Sequence, residues 1–209
     1  MFRLIKAVAL VLAGLAGLAG SAGAATVPIE QYLDAPVDYT ADFFVVSGKG
    51  RFQGSAVHAP GRGRWDFDAS GGRQTLLLRR DTNQAAMVWP ERKWYLSTSF
   101  QAIAGLIGGF DGATVDSRSA GQETVSGEPV TRYDLSGASS GGGNFRGRVW
   151  MTRDGIMMKL SGTVTFNGKD SKVETGLSHL LRVKAAPAAF RLPADYTGLP
   201  RDFSKITLH

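Results

Sequence analysis

The chain contains no cysteine. Thiol catalysis, thiolate metal ligands, disulfides and sulfur redox chemistry are therefore excluded, and the core alone must hold the fold. Histidine is scarce. His58, His179 and His209 are the only three, and none has a histidine at i+4, so the helical zinc motif is absent. Basic residues are scattered and reach their greatest density at Arg79-Arg80 and among Arg62, Arg64 and Arg73. Without a basic helix this is a poor footprint for a nucleic-acid reader. No glycine-rich phosphate loop precedes a helix, and no repeat of fixed period occurs.

What is present begins with an address. Arg3 and Lys6 precede an apolar and glycine-rich run over residues 7–18, and Ser21-Ala22-Gly23-Ala24 supplies small residues for a peptidase. This reads as a cleaved secretory leader, with the cut after Ala24 or Ala25, so that residues 1–25 leave and residues 26–209 form one domain. The run is short for a membrane span. No twin arginine or lipobox cysteine accompanies it. Of the formal net charge of +6, Arg3 and Lys6 supply two. The remainder allows peripheral contact with an anionic membrane but is also what a solvated surface carries. The expected compartment is the periplasm and the expected state a monomer.

The organising stretch is residues 63–96. Trp65 and Phe67 alternate with Arg64, Asp66 and Asp68, the period of a strand with one covered and one wet face. Ser70-Gly71-Gly72 turns the chain into a leucine-rich strand over residues 74–80. Asp81-Thr82-Asn83 leads to residues 85–89, Pro90 ends that strand, and residues 93–97 complete a meander.

Around it, residues 27–33 read as one or two helical turns with Pro28 in the first turn. Residues 38–47 and 51–58 read as a hairpin. Phe100, Ile103, Leu106, Ile107 and Phe110 recur at helical spacing behind Ser99 as N-cap. Gly105, Gly108 and Gly109 loosen that helix. Strand pairs follow around Gly127-Glu128, Asp154-Gly155 and Asn167-Gly168. Separate short strands are expected at residues 156–162 and 163–166, and again at 172–174 and 177–184. The proline-broken C-terminal stretch, residues 191–209, is expected along an edge. Roughly ten strands at this spacing predict a mainly β fold, a large curled antiparallel sheet or half-barrel, with a few short helices over the open side.

Catalytic patterns are thin. Gly137-Ala138-Ser139-Ser140-Gly141 matches a nucleophile elbow, yet it lies in a glycine–serine loop with no helix after it. Asp66 and Asp68 form a carboxylate pair on the wet strand face. No enzyme, metal or cofactor is expected.

Several short motifs carry a resemblance that spans most of the mature chain. They are Tyr39-Thr40-Ala41-Asp42, the Arg64 strand, Arg79-Arg80-Asp81, the run from Trp89 to Tyr95, and Phe190-Arg191-Leu192-Pro193-Ala194-Asp195-Tyr196. Together they resemble exported proteins of the lipoprotein-carrier type, the outer-membrane lipoprotein-sorting superfamily. That resemblance implies an incomplete barrel with an apolar inner face, helices acting as a lid, and a strand arginine that holds the lid by bonds to helix carbonyls. Arg64 is the position nearest to that latch, although alternation sets it opposite Trp65 and Phe67. The residues expected to line an apolar site are Phe43, Val45, Trp65, Phe67, Leu76, Leu78, Met87, Trp89, Trp94 and Leu96. Phe100, Ile103, Leu106, Ile107 and Phe110 are expected from the lid. The partner implied is a lipid or lipoprotein acyl chain. The competing reading is an envelope structural or sensing protein whose same face is filled and which works through protein contacts.

Overall fold

The computed structural model describes residues 24–48, 50–69, 71–102, 114–138, 143–166 and 168–200. Among these residues thirteen strands form one sheet. In chain order they are β1 (Ala25–Pro28), β2 (Tyr39–Ser47), β3 (Gly50–Ala59), β4 (Arg62–Ala69), β5 (Gly72–Arg79), β6 (Gln84–Trp89), β7 (Trp94–Thr98), β8 (Thr114–Val125), β9 (Glu128–Ala138), β10 (Asn144–Thr152), β11 (Met157–Phe166), β12 (Lys169–Leu181) and β13 (Thr197–Gly198). Their spatial order is β1-β8-β9-β10-β11-β12-β2-β3-β4-β5-β6-β7-β13. Two meanders are thus joined where β12 pairs with β2. Every pairing is antiparallel except the last, in which β13 runs parallel to β7. The sheet is open, since β1 and β13 stand at its two ends. It curls strongly: Ser126, in the β8–β9 turn, donates to Leu177 O of β12 at 2.9 Å, and Arg182 reaches Glu128 of β9 at 2.8 Å. In a flat sheet, with strands ≈ 4.8 Å apart, β9 and β12 would be too distant for either bond.

The mainly β, half-open sheet expected from the sequence is what forms. The strand boundaries differ from the expected ones for identifiable reasons. Residues 27–28 extend β1, pairing Val27 with Val115 and Pro28 with Thr114 at the sheet edge, where a missing N–H is tolerated. The helix expected there shortens to α1 (Glu30–Leu33). The strands expected to break at Gly162 and near Gly176 do not break. Gly162 sits opposite Gly147, and a Cβ at either position would stand 2.7 Å from the Phe145 ring. A Cβ at Gly176 would stand 2.7 Å from the Phe44 ring. These glycines seat aromatic rings rather than end strands. The expected Asp-Gly turn does form: Gly155 adopts φ +83°, and Thr152 Oγ1 donates to Asp154 at 2.6 Å.

Helical structure among the described residues is limited to α1, three short 3-10 turns and a helix that opens at Phe100. Ser99 Oγ accepts from the Ala102 N–H at 3.1 Å, as an N-cap does. Residues 103–113, which hold most of the expected lid, lie outside the described residues. So do the leader up to residue 23, Ser139 to Gly141 of the nucleophile-like motif, and residues 201–209. The C-terminal segment does run along an edge: Thr197 pairs with Trp94, and the Leu199 N–H donates to Tyr95 O at 2.7 Å.

Candidate functional site

Register decides which side chains share a face. Phe43 pairs with Gly54, Gly54 with Phe67, Trp65 with Leu76, Leu76 with Met87, and Met87 with Leu96. Gly63 pairs with Leu78, and Trp89 with Trp94. By alternation, Phe43, Val45, Trp65, Phe67, Leu76, Leu78, Met87, Trp89, Trp94 and Leu96 all lie on one face of β2 to β7. This is the inner face.

The two halves of that face differ. Over β8 to β11, α1 and the residue before it fill the curl. Ile29 and Tyr32 pack with Val115, Leu135, Phe145, Val149 and Met151. Tyr32 Oη donates to Ser117 Oγ at 2.6 Å, a buried bond that satisfies both hydroxyls. Toward β2 a second core gathers Phe43, Ala56, Met158 and Leu177, with Val45, Trp65 and Phe67 half-buried at its margin. Beyond it, Leu76, Leu78, Met87, Trp89 and Leu96 remain half-buried, and Trp94 is 37 % exposed. Among the described residues, the inner face is filled at one end and only half-covered at the other. Phe100 stands at one end of this half, half-buried, with the Arg80 guanidinium 4.6 Å above its ring. Ile103, Leu106, Ile107 and Phe110 lie outside the described residues.

β3 supplies what the sequence reading missed. Gly54 lies between Phe43 and Phe67, whose rings meet edge to face at 6.5 Å, and Phe52 adds a second edge contact to Phe67 at 6.2 Å. A Cβ at Gly54 would strike Asp66 O, and one at Gly63 would strike the Trp65 indole. The local signal was the alternation Phe52, Gly54, Ala56 and His58, two small residues between two rings on one face of the strand.

His58 closes one end of this face. It is 4 % exposed, stacks on Tyr39 at 4.8 Å, and donates from Nε2 to Ala35 O at 2.9 Å. Asp34 lies 3.5 Å from the same nitrogen and accepts the Gly61 N–H. Burial pushes the His58 pKa down, against the opposing pull of the Ala35 bond and of Asp34 and Asp38. Burial, helped by Asp34, pushes the Tyr39 phenol up to about 12.

Arg64 lies on the opposite, outer face, as alternation requires. It does not stand free there. Its fork pairs with Asp66 at 2.7 and 2.9 Å, and Nη1 donates to Ala189 O in the 3-10 turn Pro187–Phe190 at 3.3 Å. Asp66 also accepts from Thr75. Burial pushes the Asp66 carboxyl up, but the Arg64 and Thr75 bonds and the charges of Arg64 and Arg73 outweigh it and hold the group below its ordinary value. Arg64 therefore fastens a carbonyl of the C-terminal segment to the back of the sheet.

No family model matches the chain, and no curated protein matches it. Solved structures do. A conserved protein from Thermus thermophilus superposes with a TM-score of 0.52 at 12 % identity, covering 82 % of this chain and 93 % of that one. A chain of the Pseudomonas aeruginosa MucA/MucB complex gives 0.45 at 12 % identity, over 81 % of this chain and 59 % of that one. A putative outer-membrane lipoprotein-sorting protein domain from Vibrio parahaemolyticus gives 0.32 at 11 % identity, over 74 % and 89 %. The Thermus likeness places the chain in a fold of known architecture, the large open sheet described above.

Proposed function

We propose that this chain is an exported, periplasmic carrier or binding protein that shields an acyl chain or similar apolar ligand against the inner face of β4 to β7, without catalysis. One observation carries the reading: the two halves of a single sheet face are treated differently. One half is sealed by Ile29 and Tyr32. The other presents Trp65, Phe67, Leu76, Leu78, Met87, Trp89 and Leu96 side by side and half-buried. Burying each such side chain is worth about 1.5–3 kcal/mol. A contiguous row left half-covered is therefore a surface for an apolar partner. The partner class that suits a strip of aromatic and aliphatic side chains is a hydrocarbon chain.

Native mass spectrometry of protein extracted without detergent tests this. A carrier arrives with added mass that organic extraction removes and identifies as acyl lipid, and the stripped protein then takes up an apolar fluorophore. Protein that arrives bare and binds no such probe, at concentrations where a known carrier does, would sink the proposal and favour a filled module acting through protein contacts.

A further inference from the structure

The outer face of β5, β6 and β7 holds a separate feature. Leu77, Ala86 and Val88 are buried there, with Tyr95 and Tyr196 packed against them. Between these strands and residues Phe190, Arg191 and Leu192 runs a cleft of about 570 Å³, within the ≈ 300–1,000 Å³ range of small-molecule sites. Leu77, Ala86, Phe190 and Leu192 give it apolar walls; Arg79 and Arg191 give it two cations, and among the described residues no carboxylate lines it.

The arginines of this face are not equivalent. Arg62 is engaged by Asp81 at 3.0 and 3.1 Å, and Arg64 by Asp66 at 2.7 Å. Arg79 is held more loosely. It forms an ion pair with Asp81, but its Nε stands 3.6 Å away, longer than a hydrogen bond, and that buried nitrogen has no hydrogen-bond partner among the described residues. Arg191 makes no ion pair among the described residues. A buried guanidinium N–H without an acceptor is costly, and a carboxylate is the acceptor whose geometry its fork matches.

We infer that this outer cleft binds a free fatty acid. The carboxylate sits against Arg79 and Arg191, and the hydrocarbon chain lies along Leu77, Ala86, Phe190 and Leu192. This site backs onto the inner face, because Leu77 points outward between Leu76 and Leu78, which point inward. It stands whether or not the inner face carries a ligand.

The probes are dispersed laurate, dodecanol as its uncharged counterpart, and a stearate bearing a nitroxide near its carboxyl end, each added to delipidated protein. The nitroxide is expected to broaden the methyl signals of Leu77, Ala86 and Leu192 before those of Leu76 and Leu78. The double variant Arg79→Gln/Arg191→Gln is expected to weaken laurate binding at least tenfold while changing dodecanol binding less than twofold. Leu192→Asp, a surface change, is expected to weaken both. Broadening that favours Leu76, Leu78 and Met87 would overturn the inference. So would unchanged laurate affinity in the double variant, or binding to anionic phospholipid vesicles with none to dispersed laurate.

Discussion

At His58 folding and protonation are linked. Its Nε2–H holds Ala35 O, its ring lies on Tyr39, and it is almost fully buried. Its neighbours in charge are Asp34 and Asp38, which favour the imidazolium, and Arg80, which opposes it. Burial wins, and the folded pKa falls below the unfolded value of about 6.5. The unfolded chain therefore binds the proton more readily, so stability is full above about pH 6.5 and declines as pH falls from there through the folded pKa. Urea midpoints measured between pH 7.5 and 5 are expected to fall more steeply for the wild type than for His58→Gln, whose side-chain amide can still donate to Ala35 O but cannot titrate. Parallel pH profiles for the two proteins would rule out His58 as the group responsible.

At the scale of elements, the segment from Pro187 to Leu199 behaves as a strap. One fastening is Arg64 to Ala189 O. The other is the pairing of β13 with β7, where the Thr197 N–H also donates to Lys93 O at 2.8 Å. The exposed Lys93–Asp195 pair, at 2.8 Å with both side chains more than 60 % exposed, adds little. Arg64→Ala removes the first fastening and leaves Asp66, whose side chain is 11 % exposed, without its cation. It is expected to cost about 1–3 kcal/mol, the range for hydrogen bonds to charged groups and for stranding one buried partner. It should also make residues 186–192 the first site of limited proteolysis. Cleavage there at the wild-type rate would show that the strap does not depend on Arg64.

The elements also show where the sequence was legible. Strict alternation in β4 identified Trp65 and Phe67 as one face and Arg64 and Asp66 as the other, and the register carried that division across to β7. Turn chemistry located Gly155. Glycine inside a strand misled, because Gly162 and Gly176 look like breaks in one dimension and act as seats for Phe145 and Phe44 in three. Which partner Arg64 would hold was equally hidden. Alternation gives the direction of a side chain, while the Ala189 carbonyl comes from 125 positions away along the chain.

For the whole molecule, the consequence of one sheet with two differently covered halves is uneven stability. Local opening is easiest where few buried apolar contacts hold a strand. β9, β10 and β11 lie inside the sheet, flanked on both sides, and their inner side chains Leu135, Val149 and Met158 are 3 %, 0 % and 0 % exposed. β6 and β7 lie near the end, where only the two residues of β13 follow, and their inner side chains Met87, Trp89 and Leu96 are half-buried. Backbone amides of β6 and β7 are therefore expected to exchange with solvent deuterium at least tenfold faster than those of β10 in ligand-free protein. A ligand that binds only the folded protein raises its stability in proportion to the logarithm of its concentration. If it sits on the inner face of β4 to β7, the same amides should slow when it is added while those of β10 change less. Uniform slow exchange across both halves of the free protein would mean that the second half is as well packed as the first, and the inner face would then have no room for a guest.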